Sequence, residues 1–403
     1  MEPYRKTLYI LSSFVFLVML GMTMIAPILP LYAVEMGASV FMVSLLIAAF
    51  AIARMFLDLP AGLLGRKYHP KSLIILGLFL VTTSSILCGF APNYWVLLLG
   101  RIIEGIGSAF FTTMSTTLLA VVVPDKNRGK DMSLYTGLLL LGGIFGPGFG
   151  GIVASIWGLN APFFFYALLV GIGIVIVAVM VERTSVPHKA SEIRLEEVKH
   201  VMSEPSIMLV NIATLSLFFT RAGITSTLVP LFAYKNLQIT EFWLGVTLTC
   251  TSLFMFFTMT PSGTYTDKHG RKSSMVACLI LTGIIVMFIP FTWNYTSFVT
   301  VMVIYGLMLG LSGPITAWLI DLTPRDRIGV AMGVFRTVND AGFVAGPLIL
   351  GSIASVTMKA DTISPIPFLV ASVYLFIVGA LIIKARDPVK DGKRPEVLGP
   401  PEQ

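Results

Sequence analysis

Long apolar runs separated by short polar breaks cover nearly the whole chain. A membrane-spanning helix needs about 20 predominantly apolar residues. Runs of that kind lie at 8–32, 41–64, 72–91, 94–123, 131–156, 161–181, 207–233, 242–265, 273–291, 297–320, 329–356 and 365–384. In hydrocarbon every backbone N–H and C=O must be satisfied within the chain, so each run is predicted to be helical even where it holds glycine or proline. The first run is too long for the apolar core of a signal peptide and has no clear small-residue cleavage site, so it is read as the first helix. The pattern predicts an all-α membrane protein of about twelve transmembrane helices.

Composition narrows this further. With 403 residues, 56% of them hydrophobic, 12% charged, and a mean hydropathy of +0.87, the chain is too apolar for a soluble globule. The formal charge of +7 could suggest a nucleic-acid partner, but its placement says otherwise. With the N-terminus inside, the inner segments hold nearly all the basic residues, among them Arg5, Lys6, Lys67, Lys71, Lys126, Lys130, Arg194, Lys268, Arg271, Lys272, Arg325 and Lys384. The outer loops hold Lys235 and Lys359. This asymmetry puts both termini in the cytoplasm of a multi-pass cell-membrane protein, with the lipid bilayer as its partner and no nucleic acid. Cys88, Cys250 and Cys278 lie in or near apolar runs without pairing or metal spacing and read as buried thiols.

The chain repeats itself. ILPLYA at 28–33 returns as LVPLFA at 228–233, and Pro60 and Gly62 return as Pro261 and Gly263. Gly142, Gly146, Pro147 and Gly151 return as Gly342, Gly346, Pro347 and Gly351 at a near-constant offset. Two six-helix bundles, 1–181 and 207–386, are therefore expected around a central cavity. A polar, partly amphipathic cytoplasmic linker (182–206) with a surface helix joins them, and a flexible cytoplasmic tail (387–403) follows.

The stretch GGIFGPGFGG from Gly142 to Gly151 would not form a helix in water, where each glycine costs about 1 kcal/mol and proline about 3. In lipid, packed neighbours can satisfy the groups a proline frees, and glycines let those neighbours approach closely. A bendable, tightly packed fifth helix is expected. Gly142, Gly146, Pro147, Gly150 and Gly151 resemble the fifth-helix signature (GxxxGPxxGG) of drug:proton antiporters in the major facilitator superfamily. That pattern has one further glycine, where this chain has Ser133. The segment GTYTDKHGRK, with Gly263, Asp267, Gly270, Arg271 and Lys272, is similar to the superfamily's cytoplasmic loop motif GxLxDRxGRK. Physically, Asp267 and the basic cluster can pair across a closing cytoplasmic interface, or the basic residues can serve topology alone. The first-half copy, GLLGRKYHPK at 62–71, departs from the motif, with Arg66 where the acid belongs, His69 for the glycine and Pro70 for the arginine. The lock that the resemblance implies there is then either missing or moved to another carboxylate such as Asp58. Arg101, in RIIEGIGSA, resembles the arginine of the RxxxG motif, which implies a place near the central cavity and a tie to proton coupling.

Ionisable groups inside the apolar runs are the remaining candidates. Each costs roughly 2.5–3.5 kcal/mol at helix centre on insertion scales, so function is the default reading. Arg54 and Asp58, Arg101 and Glu104, and Arg336 and Asp340 are spaced to share a helix face, so each pair can also simply neutralise itself. Glu104 and Asp340 fall near mid-membrane, where desolvation favours the protonated acid and a nearby arginine opposes it. Asp340, Glu104 and Asp58 are the proton-coupling candidates, and Arg101, Arg221 and Arg336 the substrate-cavity candidates. Arg221 can pair with Asp340 or Glu104, or hold an anionic substrate. Asp321 reads as interfacial. Trp95, Trp157, Trp243 and Trp293 read as an interfacial belt at the outer helix ends.

No Walker loop, spaced metal-ligand set or nucleophile motif is present, so neither an enzyme nor a cofactor or metal is expected. The expectation is a monomeric secondary transporter, a proton-coupled exporter of small amphipathic or drug-like molecules. Two alternatives stay open. One is an exporter or symporter of a specific anionic or lipid-like metabolite, suggested by Arg221 and by a first helix without an acid. The other is a membrane receptor or scaffold that does not transport.

Overall fold

A computed structural model of the chain describes residues 3–65, 67–124, 128–181, 195–324, 327–359 and 361–390. Twelve helices in it are long and apolar enough to cross a membrane. They are α1 (Tyr4–Ile25), α2 (Val40–Leu64), α3 (Pro70–Gly89), α4 (Tyr94–Leu119), α5 (Lys130–Trp157) and α6 (Ala161–Met180) in the first half. The second half has α7 (Pro205–Lys235), α8 (Glu241–His269), α9 (Arg271–Phe291), α10 (Tyr295–Leu322), α11 (Ile328–Thr357) and α12 (Ile366–Lys384). Each predicted run coincides with one of them. No β-strand occurs among the described residues apart from an isolated bridge between Lys359 and Thr362. Each unit has two ends by chain direction: a terminal face, where α1 begins in the first unit and α12 ends in the second, and a far face opposite it.

Three helices break in ways that hydropathy does not reveal. The first run splits at a turn over Ala26–Pro27, and a second short helix, Ile28–Glu35, follows. Proline has no N–H to give and its ring collides with the carbonyl four residues earlier, so the ladder stops there. Inside α7, residues Arg221–Leu228 form a π-helical stretch just before Pro230. In α10 the helix stops at Gly310 and resumes at Ile315, with Gly313 and Pro314 between. In contrast, Pro60, Pro147, Pro261 and Pro347 all lie inside continuous helices.

The internal repeat is visible in the packing. In the first half α1 packs on α5 and α6, α3 on α4 and α6, and α2 on α4. In the second half α7 packs on α12, and α9 on α10 and α12. Glycines carry the corresponding α7–α11 contact. A Cβ at Gly342 would lie 2.6 Å from the Leu215 carbonyl oxygen, and one at Gly346 would lie 2.2 Å from that of Phe219. Their counterparts do the same between α5 and α1, with the Phe16 carbonyl oxygen 2.5 Å from a Cβ at Gly142 and that of Leu20 2.6 Å from one at Gly146.

The chain forms two compact units that do not follow the sequence halves. One comprises Met1–Ala190, Thr225–Thr249 and Pro347–Ile363, and the other Ser191–Ile224, Cys250–Gly346 and Ser364–Gln403. The far-face portions of α7, α8 and α11 thus belong with the first six helices. Of the expected linker, a helix Leu195–Ser203 is present, and 182–194 lie outside the described residues. Arg66 and the tail beyond Lys390 also lie outside them. The tail's first residues are packed rather than loose, since Asp387 is buried. Cys88 and Cys278 are buried, Cys250 is half-buried, and all three are free thiols.

Replacing Gly146 by leucine should lower thermal stability in detergent by about 1–3 kcal/mol, the usual cost of overpacking, because a Cβ there meets Thr23 and the α1 backbone. Gly143→Leu, on the same helix where a Cβ meets nothing within 4 Å, should leave the melting temperature close to that of the parent protein. Equal shifts in the two variants would remove the close-packing account.

Candidate functional site

The first unit gathers its buried charges along the seam between α2 and α4. Gly105 lets α4 approach α2 so closely that a Cβ there would sit 2.4 Å from the Phe50 carbonyl oxygen. One helical turn away, Arg101 and Glu104 form an ion pair through Nη1 and Oε2, three residues apart as predicted. Both are sealed from solvent, at 7% and 1% exposure. The Arg101 guanidinium also lies over the Phe50 ring at 4.7 Å, and that of Arg54 is 6.0 Å from the same ring. A buried aromatic face of this kind stabilises cations that water no longer solvates. Glu104 Oε1 has no hydrogen-bond partner. Tyr166 of α6 is buried within electrostatic reach of both members of the pair. Asp58, lower on α2, accepts a hydrogen bond from Thr113 Oγ1 of α4 at 3.3 Å.

Along its far-face portion the first unit closes tightly. The sequence-predicted glycines divide between two neighbours: Gly142, Gly146 and Gly150 face α1, while Gly151 faces α8. A Cβ at Gly151 would lie 2.6 Å from the Glu241 carbonyl oxygen, and one at Gly245 would lie 2.5 Å from that of Pro147. Lys235 pairs with Asp361 at 2.5 Å. Asn236 donates to the Ile363 carbonyl at 3.1 Å and accepts from the Ile363 N–H at 2.9 Å. Trp95, Trp157, Trp243 and Trp293 are all exposed at far-face helix ends, as a membrane-interface belt requires.

In the second unit Asp340 is 2% exposed, whereas Arg336, one turn earlier on α11, is exposed. Arg221 is likewise exposed and opens the π-helical stretch of α7. Buried Tyr305 of α10 is within its electrostatic reach. Because α7 and α11 touch where Gly342 and Gly346 meet Leu215–Gly223, Arg221 and Asp340 flank the same helix contact.

The loop motif between α8 and α9 is organised within its own half. Arg271, 8% exposed, pairs with Asp267 at 2.7 Å and with Asp321 of α10 at 3.1 Å, and donates to Thr266 Oγ1 at 3.3 Å. Asp321, read from sequence as merely interfacial, is thus one jaw of a clamp on the terminal face. Gly270 has φ +98°, where a side chain is strained. A Cβ at Gly263 would meet nothing within 4 Å, so packing does not demand a glycine there. Asp387 accepts the Lys272 backbone N–H at 2.9 Å, and Lys272 Nζ donates to the carbonyls of Ile383 and Ala385 at 3.1 and 3.0 Å. Sequence reasoning missed Phe50, Tyr166, Asp321 and Asp387 as partners, because their contacts join segments far apart in the chain. Among the described residues no group of three or more His, Cys, Asp or Glu could hold a metal ion.

Comparison with known proteins follows this geometry. A family model described as Major Facilitator Superfamily matches residues 11–347 and 210–401. An uncharacterized MFS-type transporter of Methanocaldococcus jannaschii is 28% identical over 369 residues, covering 88% of this chain and 93% of that protein. The quinolone resistance protein NorA of Staphylococcus aureus (strain MRSA252) is 25% identical over 385 residues, covering 93% and 96%. Among solved structures, a bacterial homolog to the human lysosomal transporter Spinster, inward-facing and unoccupied, has a TM-score of 0.81 at 16% identity, covering 98% of this chain and 100% of that one. The nucleoside transporter NupG has a TM-score of 0.78 at 12% identity, covering 96% and 100%. At such identities the two structures speak for the fold.

Removing one partner of a buried ion pair strands the other charge, at a cost of about 3–5 kcal/mol. Glu104→Ala should therefore destabilise strongly, and adding Arg101→Met should restore most of the loss in a double-mutant cycle of unfolding free energies. Strict additivity would contradict the pairing. Glu35, just beyond α1, offers a pH test. Burial, with the Glu241 carboxylate adding to it, raises its carboxyl above the ordinary 4.5. A carboxyl raised by folding contributes stability below 4.5 that is lost as pH climbs through the raised value. Melting temperature should accordingly fall less steeply between pH 4.5 and the raised value in Glu35→Gln than in the parent protein.

Proposed function

The chain belongs to the Major Facilitator Superfamily of transporters, and from that premise we propose that it expels small amphipathic molecules from the cytoplasm in exchange for protons. The observation that carries this reading is a nearly sealed carboxylate in each sequence half, Glu104 and Asp340, each preceded by an arginine on its own helix. A carboxylate closed off from water on the same helix as an arginine is a place where a proton and a cation can compete for one acid, so arrival of substrate near the arginine can decide which of them holds it. The relatives named for quinolone resistance support export of drug-like molecules.

In this reading Asp340 carries the coupling proton. Glu104 tunes Arg101, and Asp58 acts as a lesser lock on α2. Arg221 and Arg336, both solvent-accessible, meet the substrate. The Asp267–Arg271–Asp321 clamp with Gly270 and Lys272 holds one conformer of the second half, and the α5 glycines with Pro147 give α5 its fit and its bend. The positive terminal face is cytoplasmic, and the protein works as a monomer without a cofactor. Driving force follows from charge: the membrane potential supplies about 2.3 kcal/mol per elementary charge per 100 mV. A monovalent cation exchanged for one proton moves no net charge and depends on the pH difference alone. A second reading, transport of an anionic or lipid-like metabolite, is favoured by accessible Arg221 and by an α1 without an acid.

Purified protein in liposomes with an imposed pH gradient separates the readings. Proton-driven movement of lipophilic cationic dyes is expected, whereas movement of organic anions alone would select the second reading. Binding without movement under either gradient would make the protein a receptor. Asp340→Asn should abolish gradient-driven transport while sparing substrate exchange, and undiminished driven transport in that variant would take Asp340 out of the mechanism.

A further inference from the structure

A groove of about 520 Å³ runs along the second unit between α9 and the end of α12 with the chain just past it. Its wall is apolar. Val276, Ala277, Ile280 and Leu281 line it from one face of α9, at the i, i+1, i+4, i+5 spacing of a single helical stripe, and Ile383 lines it from the other side. Leu281 and Ile383 are 38% and 55% exposed, so no protein core covers this stripe. At 1.5 Å per residue the groove descends about 13 Å from Lys272 to Leu281. That is close to half of a hydrocarbon core about 30 Å thick, the depth of one leaflet.

What sets the groove apart from ordinary lipid-facing surface is its built, cationic mouth. Lys272, Lys390 and His269 line it together with Asp387. Lys272 Nζ is held by two carbonyls, those of Ile383 and Ala385, which leaves one of its three N–H donors to spare. His269 is fixed by stacking on Tyr265 with ring centres 4.4 Å apart. The strand of chain after α12 is itself tied down. The Arg386 carbonyl accepts from Trp318 Nε1 at 3.0 Å, and the Arg386 N–H donates to Ser206 Oγ at 3.1 Å. Asp387 is 3% exposed and already engaged at the start of α9. Two lysines against one aspartate leave the mouth net positive, which suits the single negative charge of a phosphodiester.

We propose that this groove binds one anionic glycerophospholipid of the cytoplasmic leaflet, its phosphate on Lys272 and Lys390 and one acyl chain along the α9 stripe against Ile383. Basic pockets between helices on the cytoplasmic side are suited to such head groups. The bound phosphate would bridge the start of α9 to the chain after α12, next to the Arg271 clamp. The inference rests on the proposed cytoplasmic placement of the terminal face, and it stands apart from what is transported.

The test is native mass spectrometry of the full chain released from detergent after incubation with dioleoylphosphatidylglycerol, dioleoylglycerol or inorganic phosphate. One retained phosphatidylglycerol per chain is expected, with dioleoylglycerol at background. Lys390→Ala should cut that retention about fivefold, the equivalent of the roughly 1 kcal/mol a basic residue contributes near an anionic surface. Ala277→Phe, which fills the groove, should abolish it. Melting temperatures in lipid-free detergent confirm that both variants are folded. The proposal is overturned if dioleoylglycerol is retained equally, if inorganic phosphate alone binds as well as the lipid, or if the folded variants keep the parent's lipid.

Discussion

Close backbone approach between helices governs this structure. Lipid tails are as apolar as leucine, so no hydrophobic force draws one spanning helix onto another, and cohesion comes from packing at short range. The chain meets this requirement with glycine at helix faces. Gly142, Gly146 and Gly150 admit α1 to α5, and Gly342 and Gly346 admit α7 to α11. Gly151 and Gly245 bring α5 and α8 almost to backbone contact, and Gly105 seats α4 on α2 beside Phe50. The last of these seams is what buries Arg101 and Glu104. Their ion pair, with the cation over an aromatic ring, follows from where a residue without a side chain was placed.

The two halves handle their buried charges differently, although they descend from one pattern. In the first unit the arginine and the acid are both buried and paired with each other. In the second the acid is buried while Arg336 and Arg221 are exposed. On the terminal face the asymmetry reverses. The intact loop motif holds Arg271 between Asp267 and Asp321, whereas its first-half copy has no acid at the corresponding place.

Two of the three helices that the division into compact units crosses carry an irregularity at the crossing, and α8, crossed between Thr249 and Cys250, is regular there. The boundary crosses α7 between Ile224 and Thr225, inside the π-helical stretch, and crosses α11 between Gly346 and Pro347. A π turn and a proline each interrupt the regular hydrogen-bond ladder, and helices bend where that ladder is interrupted.

The number, order and rough extent of the twelve helices could be read from the sequence because the cost of an unpaired backbone group in lipid leaves a long apolar run no alternative. The repeat, the glycine faces of α5 and the spacing that pairs Arg101 with Glu104 were equally legible, since each is local in the chain or a copy of itself. The break in α1 at Pro27, the π stretch at Arg221 and the gap in α10 were not, because a proline in a membrane helix can be tolerated or not according to its neighbours. Four other prolines here sit inside unbroken helices. Nor could sequence assign Asp321 to Arg271 or Asp387 to the start of α9, segments 50 and 115 residues apart. Local chemistry decides which segments are helices. Which charges meet depends on how those helices are packed, and only the tertiary structure settles that.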